Sequence, residues 1–179
     1  NVLLVYTRES VNGTQEYASG FGWNREHVWA KSRGDFGTAT GAGTDVHNLR
    51  ASNINVNSTR SNFNFDNCTN NSCENTFGNY YSSSSLIFEP RGEDKGDVAR
   101  IIFYMDVRYE GDNGELDLEM TESLLSTSSK LPRHGISSTL LEWHVQDPVD
   151  DFERNRNNVI YDYQGNRNPF IDHPELVEY

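Results

Sequence analysis

The clearest hydrophobic periodicity lies in the segment 96–111, GDVARIIFYMDVRYEG. Apolar residues recur there at steps of three and four, which places them on one face of a helix. The members of this stripe are Val98, Ile101, Ile102, Met105 and Tyr109. Asp97 can cap the start of the helix, and Gly111 follows its end. The pattern therefore predicts a helix that packs one face into a core.

A second packing helix is predicted near the C-terminus, beginning at Asp147–Pro148, because proline is favoured at the first helical position. The acidic residues of this segment come first and its two arginines come later, as the helix dipole favours. Its predicted apolar face consists of Val149, Phe152 and either Val159 or Ile160.

The first third of the chain has a different pattern, rich in glycine, asparagine and threonine. It predicts two short extended segments, 24–29 and 45–49, joined by the flexible connection GDFGTATGAGTD at 34–45. A short helix, SNINVNSTRSN at 52–62, follows with Ser52 as its expected N-cap. Helical spacing would place Asn57 and Arg60 on one face of that helix.

Length and composition favour one globular domain that spans residues 1–179. A chain of this size can bury a core without staples, and 12% of its residues are aromatic. No repeat or linker divides the sequence. The longest apolar run, VLLVY at 2–6, is far shorter than the roughly 20 residues needed to span a bilayer. The start at Asn1 rather than Met is what a processed or trimmed chain would show.

The net charge of −12 disfavours a polyanionic partner without excluding one. Screening at physiological salt decays over about 8 Å, so a local basic patch can still act while distant carboxylates do not.

The two cysteines, Cys68 and Cys73, lie in the polar loop NFDNCTNNSCENTF. Zinc is disfavoured because no second cysteine or histidine pair occurs at suitable spacing. The pair could form a disulfide or remain two thiols. We favour the disulfide, which would in turn favour an exported protein.

Candidate chemistry concentrates in the two extended segments and the short helix. The residues concerned are Glu26, His27, Asp45, His47 and Asn57. Carboxylate and amide oxygens suit Mg²⁺, which takes few protein ligands. A histidine that is neutral near pH 7 can remove a proton from an attacking water. Adjacent side chains on an ideal strand point to opposite faces, so Glu26 and His27 can act together only if the strand twists, bulges or ends there.

Four blocks of sequence, in order, carry a resemblance to a known family: NREHVWAKS, DVHNLRASNINVNSTRSN, GDVARIIFYMDVRYEG and GNRNPFIDHPE. Together they resemble the bacterial endonuclease I family, whose members are secreted or periplasmic nucleases that act on both DNA and RNA. The resemblance implies an α+β fold. Its core would be a ββα-metal (His-Me finger) motif at about residues 22–62, with additional packing helices.

The resemblance also implies roles for individual residues. His27 matches the general base, and Glu26 and Asn57 match the two ligands of one Mg²⁺ ion, a site that Mn²⁺ or Ca²⁺ can also occupy. The expected reaction is hydrolysis of single- or double-stranded DNA and of RNA, which leaves 5′-phosphate and 3′-hydroxyl ends. Contacts to phosphate and sugar carry little base specificity.

Further positions receive supporting roles from the same resemblance. Arg60 and Asn62 match basic and polar positions of the short helix and become candidate substrate contacts; an ion pair to Glu26 or Asp45 is the alternative for Arg60. Arg33 is the nearest candidate for an arginine that holds the cleaved phosphate. Asp45 and His47 would have an indirect role, either by orienting the base or by holding a water molecule near the metal.

Two other functions remain open at this point. One is a metal-free ribonuclease that uses His27 and His47 as an acid–base pair, and the other is a catalytically silent module that binds nucleic acid. In the leading interpretation the partners are DNA and RNA substrates and not a membrane. The protein would be monomeric and secreted or periplasmic.

Overall fold

The computed structural model describes residues 1–178 and has an α+β fold, as predicted. Its α-helices are α1 (Ile54–Arg60), α2 (Lys95–Arg108), α3 (Ser137–Gln146), α4 (Asp151–Gln164) and α5 (Pro169–Asp172). Its strands are β1 (Val2–Leu3), β2 (Ser10–Val11), β3 (Trp23–His27), β4 (Leu49–Asn53), β5 (Asn64–Phe65), β6 (Glu74–Thr76), β7 (Asn79–Ser82), β8 (Ile87–Glu89), β9 (Glu119–Thr121) and β10 (Arg133–Ile136).

The strands form small separate sheets. The largest has the order β5-β8-β7-β6, with β5 parallel to β8 and the other neighbours antiparallel. Strands β3 and β4 form an antiparallel pair in which Glu26 lies opposite Arg50 and His27 opposite Leu49. Helix α1 follows β4 directly, so these three elements form one continuous strand–strand–helix unit.

Helix α2 is the centre of the hydrophobic core, and all five residues of its predicted stripe are buried. Its start differs from the prediction, because the helix begins at Lys95 after the N-cap residue Asp94. Asp97 therefore lies inside the first turn. There its Oδ2 accepts a hydrogen bond of 2.9 Å from Arg50 Nη1, so this acidic residue ties α2 to β4 rather than capping the helix.

Helix α3 was not predicted from the sequence, although it packs against α2 more extensively than any other helix does. It places Leu140 and Trp143 in the core. Its N-cap residue, Ile136, forms no side-chain cap, and only three of its ten residues are buried. The usual signals of a helix start and of a long apolar stripe are therefore both weak.

Helix α4 begins at Asp151 rather than at Asp147–Pro148. The difference has a local cause. The Asp150 side chain accepts from the backbone N–H of Glu153, and the Glu153 side chain accepts in return from the Asp150 backbone. This capping box satisfies two otherwise unpaired donors and fixes the start of the helix. On the predicted apolar face Ile160 is buried, whereas Val159 is exposed.

The predicted disulfide between Cys68 and Cys73 is present, with an S–S distance of 2.09 Å. Among residues 1–178, no helix is long and apolar enough to span a membrane. The single-domain assignment remains a prediction, and its last residue, Tyr179, lies outside the described residues.

Candidate active site

The strand–strand–helix unit is shifted relative to the sequence-based boundaries. β3 ends at His27, and β4 occupies 49–53 rather than the predicted 45–49. Asn53, not Ser52, caps α1, because its Oδ1 accepts from the backbone N–H groups of Asn55 and Val56. Ser52 instead lies within β4. The end of β3 at His27 resolves the alternation problem, since the chain leaves the strand at this residue.

A cleft of about 560 Å³ lies between β3 and α1. Glu26, His27 and Asn57 all line it. The remaining lining residues are Asn24, Arg25, Ala30, Lys31, Ser32, Thr38, Ser58, Ser61 and Asn62. The structure therefore brings the three principal candidates to one surface depression, although they come from two elements.

The Glu26 carboxylate is 3% exposed and is held through one of its two oxygens. Oε1 accepts a hydrogen bond of 2.8 Å from the Tyr6 hydroxyl and lies 3.0 Å from Arg60 Nε. Burial raises the pKa of Glu26, while Arg60 and Tyr6 oppose that rise by favouring the ionised form. Oε2 has no hydrogen-bond partner among the described residues, so it is the oxygen available to a ligand.

Arg60 is completely buried, which corrects its assignment as a substrate contact. In addition to the ion pair with Glu26, its Nη1 donates to the carbonyl of Ser61 and its Nη2 to the carbonyl of Val28. Nη2 also lies 2.9 Å from His134 Nε2. Burial and Arg60 hold the pKa of His134 well below its usual value, so this imidazole is neutral and can accept from the guanidinium. The ion-pair alternative for Arg60 is therefore the one observed.

The Asn57 amide is oriented by two acceptors. Its Nδ2 donates to Asn24 Oδ1 at 2.8 Å and, more weakly, to the carbonyl of Arg25 at 3.4 Å. A backbone carbonyl can only accept, so the amide nitrogen must face it. The Asn57 Oδ1 consequently points away from these partners and has none of its own among the described residues. Asn57 thus presents a free carbonyl oxygen, as a metal ligand requires.

The His27 ring is half-buried and is anchored by one nitrogen. Its Nε2 lies 3.0 Å from the carbonyl oxygen of Gly43, an acceptor, so Nε2 carries the proton. Nδ1 is then the unprotonated nitrogen, and it has no described partner. Burial lowers the pKa of His27; Gly43 opposes this shift, and the nearby cations Lys31 and Arg25 reinforce it. The ring is therefore a neutral base near pH 7.

Asp45 does not line the cleft, contrary to a role beside the base. Its buried carboxylate accepts from the hydroxyls of Tyr104 and Tyr109 at 2.7 and 2.9 Å. The same side chain accepts from the backbone of His47 and from Gln164 at 2.9 and 2.8 Å. These four bonds fix the end of the 34–45 connection. Because that connection carries Gly43, any effect of Asp45 on the base is indirect.

His47 is 0% exposed and also lies away from the cleft. Its ring packs against Tyr104 with a centroid distance of 4.5 Å, and its Nε2 lies 3.3 Å from the carbonyl of Asn166. Burial is the main cause that lowers the pKa of His47. The residue has the environment of a neutral core histidine, which corrects its assignment as a neighbour of the base or the metal.

Arg33 is likewise buried and points into the protein. Its guanidinium donates to the backbone carbonyls of Ser126 and Asn62 at 2.8 and 2.9 Å, so it fastens the loop near 126 rather than holding a phosphate. Burial and Arg60 lower the pKa of Arg33 to about 10. Asn62 lines the cleft, where its Nδ2 donates to Ser32 Oγ; its role toward substrate remains a prediction.

The structure identifies two cleft cations that the sequence analysis did not select. Lys31 is exposed and forms no described ion pair. Arg25 is 64% exposed and pairs with Glu16 at 2.7 Å across open solvent. Such an exposed pair contributes little and exchanges easily. Arg25 directly precedes Glu26, and Lys31 lies four residues after His27. This closeness in sequence to the Glu26–His27 pair could have indicated both cations.

The free oxygens of Glu26 and Asn57 fit a hard divalent cation. One carboxylate and one amide carbonyl leave most of the coordination sphere to water and substrate, as Mg²⁺ prefers. Within residues 1–178, no group of three or more histidine, cysteine or acidic side chains could hold a metal ion.

Comparison with known proteins gives one consistent result. The family model described as Endonuclease I matches residues 2–175. An extracellular ribonuclease of Bacillus subtilis (strain 168) is 55% identical over 179 residues, and one of Bacillus amyloliquefaciens is 54% identical over 179 residues. Each alignment covers 99% of this chain but 60% of the relative. The chain thus spans about three fifths of the length of these relatives.

Proposed function

The chain belongs to the endonuclease I family, and on that premise we propose that it is a Mg²⁺-dependent endonuclease. The proposed substrates are RNA and DNA, single- or double-stranded, with products that carry 5′-phosphate and 3′-hydroxyl ends. One observation carries the proposal. Glu26, Asn57 and His27 line one cleft, and each has its remaining polar atoms held by the protein while one reactive atom stays free.

The division of labour follows from those free atoms. Glu26 Oε2 and Asn57 Oδ1 would hold the cation. When bound, the cation would neutralise charge on the scissile phosphate and on the departing O3′. His27 Nδ1 would take the proton from the attacking water. The bond from Nε2–H to Gly43 keeps the ring in the required tautomer and prevents it from turning.

The buried network behind Glu26 has a role in keeping its charge. Burial alone would favour the neutral acid, which binds a cation poorly. The pKa of the Tyr6 phenol is raised well above its usual value, mainly by burial and by Glu26, so Tyr6 remains a protonated donor. Together with the Arg60 guanidinium, it stabilises the carboxylate. Both act on Oε1 and leave Oε2 free.

Substrate binding is assigned to the cleft cations rather than to Arg60 or Arg33. Lys31 and Arg25 can approach phosphates, whereas the two buried arginines cannot. Contacts of this kind read the backbone and not the bases, which is the basis for proposing broad specificity. The curated relatives are named ribonucleases, which supports RNA as one substrate. Their names also describe them as extracellular, which supports secretion.

The geometry disfavours the metal-free alternative. An acid–base pair requires both imidazoles at one phosphate, but His47 is buried against Tyr104 outside the cleft. Only His27 could serve such a reaction.

The decisive experiment offers RNA and plasmid DNA to the protein with Mg²⁺ and with a chelator. We expect cleavage of both nucleic acids with Mg²⁺, none with chelator, and a loss of about 100-fold or more in His27→Ala. Lys31→Gln should weaken binding and reduce the slope of log K against log salt by about one. Activity in chelator on RNA alone, with cyclic-phosphate products, would establish the metal-free ribonuclease. Saturable binding without turnover would establish the silent module.

A further inference from the structure

We propose that a second pocket, at the start of β3, binds a nucleobase of the strand whose phosphate occupies the cleft. This proposal rests on the proposed nuclease function and adds a subsite to it. The pocket has a volume of about 410 Å³, and its walls include Phe21, Trp23 and Asn53. We call it the aromatic subsite.

Two aromatic rings in the walls of the aromatic subsite are not fully covered by the protein. Phe21 is 95% exposed, which is unusual for a phenylalanine since burial of such a ring is strongly favourable. Trp23 is half-buried, and its Nε1 is enclosed without a hydrogen-bond partner among the described residues. A buried donor of this kind is normally satisfied. One wall thus offers an uncovered ring, and the other offers an indole ring that is only half-buried.

The subsite and the cleft are lined by neighbouring residues of one strand. Trp23 lines the aromatic subsite, while its neighbours Asn24 and Arg25 line the cleft. On the other side Asn53 caps α1, the helix that carries Asn57. From Trp23 to His27 the strand advances about 13 Å at the usual rise per residue. Stacked nucleotides advance about 3.4 Å each, so a strand bound in the cleft would reach the subsite within a few nucleotides.

A base fits the walls better than a phosphate does. Phe21 and Trp23 supply flat rings, on which every base can stack irrespective of sequence. Glu9 also lines the pocket and would repel a phosphate, yet it can accept from the amino group of a base. Arg25 lines the cleft two residues after Trp23 and is 64% exposed, so it can meet the backbone between the cleft and the subsite. An unpaired base is required, so the occupant is a single strand.

The test measures how affinity depends on strand length. The probes are single-stranded DNA of three and eight nucleotides, bound to a full-length His27→Ala protein so that they stay intact. A stacked trinucleotide covers about 7 Å, which is less than the roughly 13 Å from Trp23 to His27. Quenching of tryptophan fluorescence reports contact at Trp23, because Trp29 and Trp143 are fully buried. Phe21→Ala is the test variant, and Tyr163→Ala, which removes an aromatic ring that is 88% exposed on α4, is the matched control.

We expect the octanucleotide to bind more tightly than the trinucleotide and to quench the fluorescence. Phe21→Ala should reduce the ratio of the two affinities by about ten- to hundred-fold, the usual value of one stacked base. Tyr163→Ala should leave the ratio unchanged. An unchanged ratio in Phe21→Ala, or the same loss in both variants, would overturn the subsite. Failure of the nuclease proposal would appear separately, as absence of cleavage by the unsubstituted protein with Mg²⁺.

Discussion

Replacement of Asn24 by leucine tests the geometry of the proposed metal site without touching a proposed ligand. Asn24 Oδ1 is the stronger of the two acceptors that orient the Asn57 amide, at 2.8 Å against 3.4 Å for the Arg25 carbonyl. Leucine has a similar size but cannot accept. The Asn57 amide would then be free to turn its NH₂ group toward the cleft, where it would repel a cation.

The size of the effect follows from the bond that is lost. A neutral hydrogen bond in a half-buried site contributes about 0.5–1.5 kcal/mol net. If only the orientation with Asn57 Oδ1 in the cleft binds the metal, the affinity of the protein for the metal should fall by a factor of about 2 to 12. This range follows because about 1.4 kcal/mol corresponds to a tenfold change in affinity. The weaker bond to Arg25 remains in the variant, so the loss should not exceed the lower end of the 10- to 100-fold range often found for such supporting residues.

Binding of Mn²⁺ to the protein without nucleic acid provides the measurement, because the paramagnetic signal of the free ion reports the bound fraction directly. Asn24→Asp is the matched control: it keeps the acceptor and should bind Mn²⁺ at least as tightly as the unsubstituted chain. Asn57→Leu should bind much more weakly than either. Equal affinities for Asn24→Leu and the unsubstituted chain, with Asn57→Leu impaired, would refute the orientation argument. Unimpaired binding by Asn57→Leu would refute the ligand itself.

Three further predictions follow from contacts in the structure, and they concern the pH dependence of cleavage, the buried ion pair of Arg60 and the disulfide. Burial lowers the pKa of His27, so the base form of this residue predominates from a lower pH than usual. We therefore expect kcat/KM to rise with pH through an apparent pKa below the ordinary histidine value of about 6.5. A midpoint above that value would contradict the role of His27 as the base. Arg60→Met leaves the Glu26 carboxylate buried without its cation and should lower the free energy of unfolding, measured by urea titration, by about 3–5 kcal/mol. Arg25→Met removes an exposed pair and should cost less than about 1 kcal/mol; similar losses would show that burial is not decisive. Exchange of both cysteines for serine opens a ring with a sequence separation of 5 and should lower the free energy of unfolding by at most about 2 kcal/mol. The cleavage rate should not change, because neither cysteine lines the cleft. A slower rate in a folded variant would contradict this expectation.

Some features of this molecule could be predicted because their signals are local. The buried stripe of α2 repeats at helical spacing over about three turns, and every predicted member is buried. By contrast, β4 gave no alternating apolar signal. Its inward-facing residues include Arg50 and Ser52, which are polar, and the charge of Arg50 is balanced by Asp97 from α2. A strand whose buried face is polar is invisible to a search for hydrophobic alternation.

The arginines show a second limit of sequence reasoning. Arg33 and Arg60 resemble surface cations in the sequence, yet both are fully buried. Their partners are distant along the chain: Arg60 meets His134, 74 residues away, and Arg33 meets the carbonyl of Ser126, 93 residues away. No local pattern encodes such contacts. The proposed ligands could be selected from the sequence because Glu26 adjoins His27, the proposed base, and because the family resemblance implies Asn57.

The charge distribution is compatible with the proposed action of a chain with a net charge of −12 on a polyanion. The cleft lining carries two cations, Arg25 and Lys31, and one carboxylate, Glu26. That carboxylate is already paired with Arg60, which lies behind it and is not part of the lining. When the Glu26–Arg60 and Arg25–Glu16 pairs are both counted as neutral, Lys31 still leaves the cleft lining with a net positive charge before a divalent cation adds its own. At physiological salt, charges more than about 8 Å away are largely screened, so distant acids only weakly oppose the binding of a polyanion to the cleft.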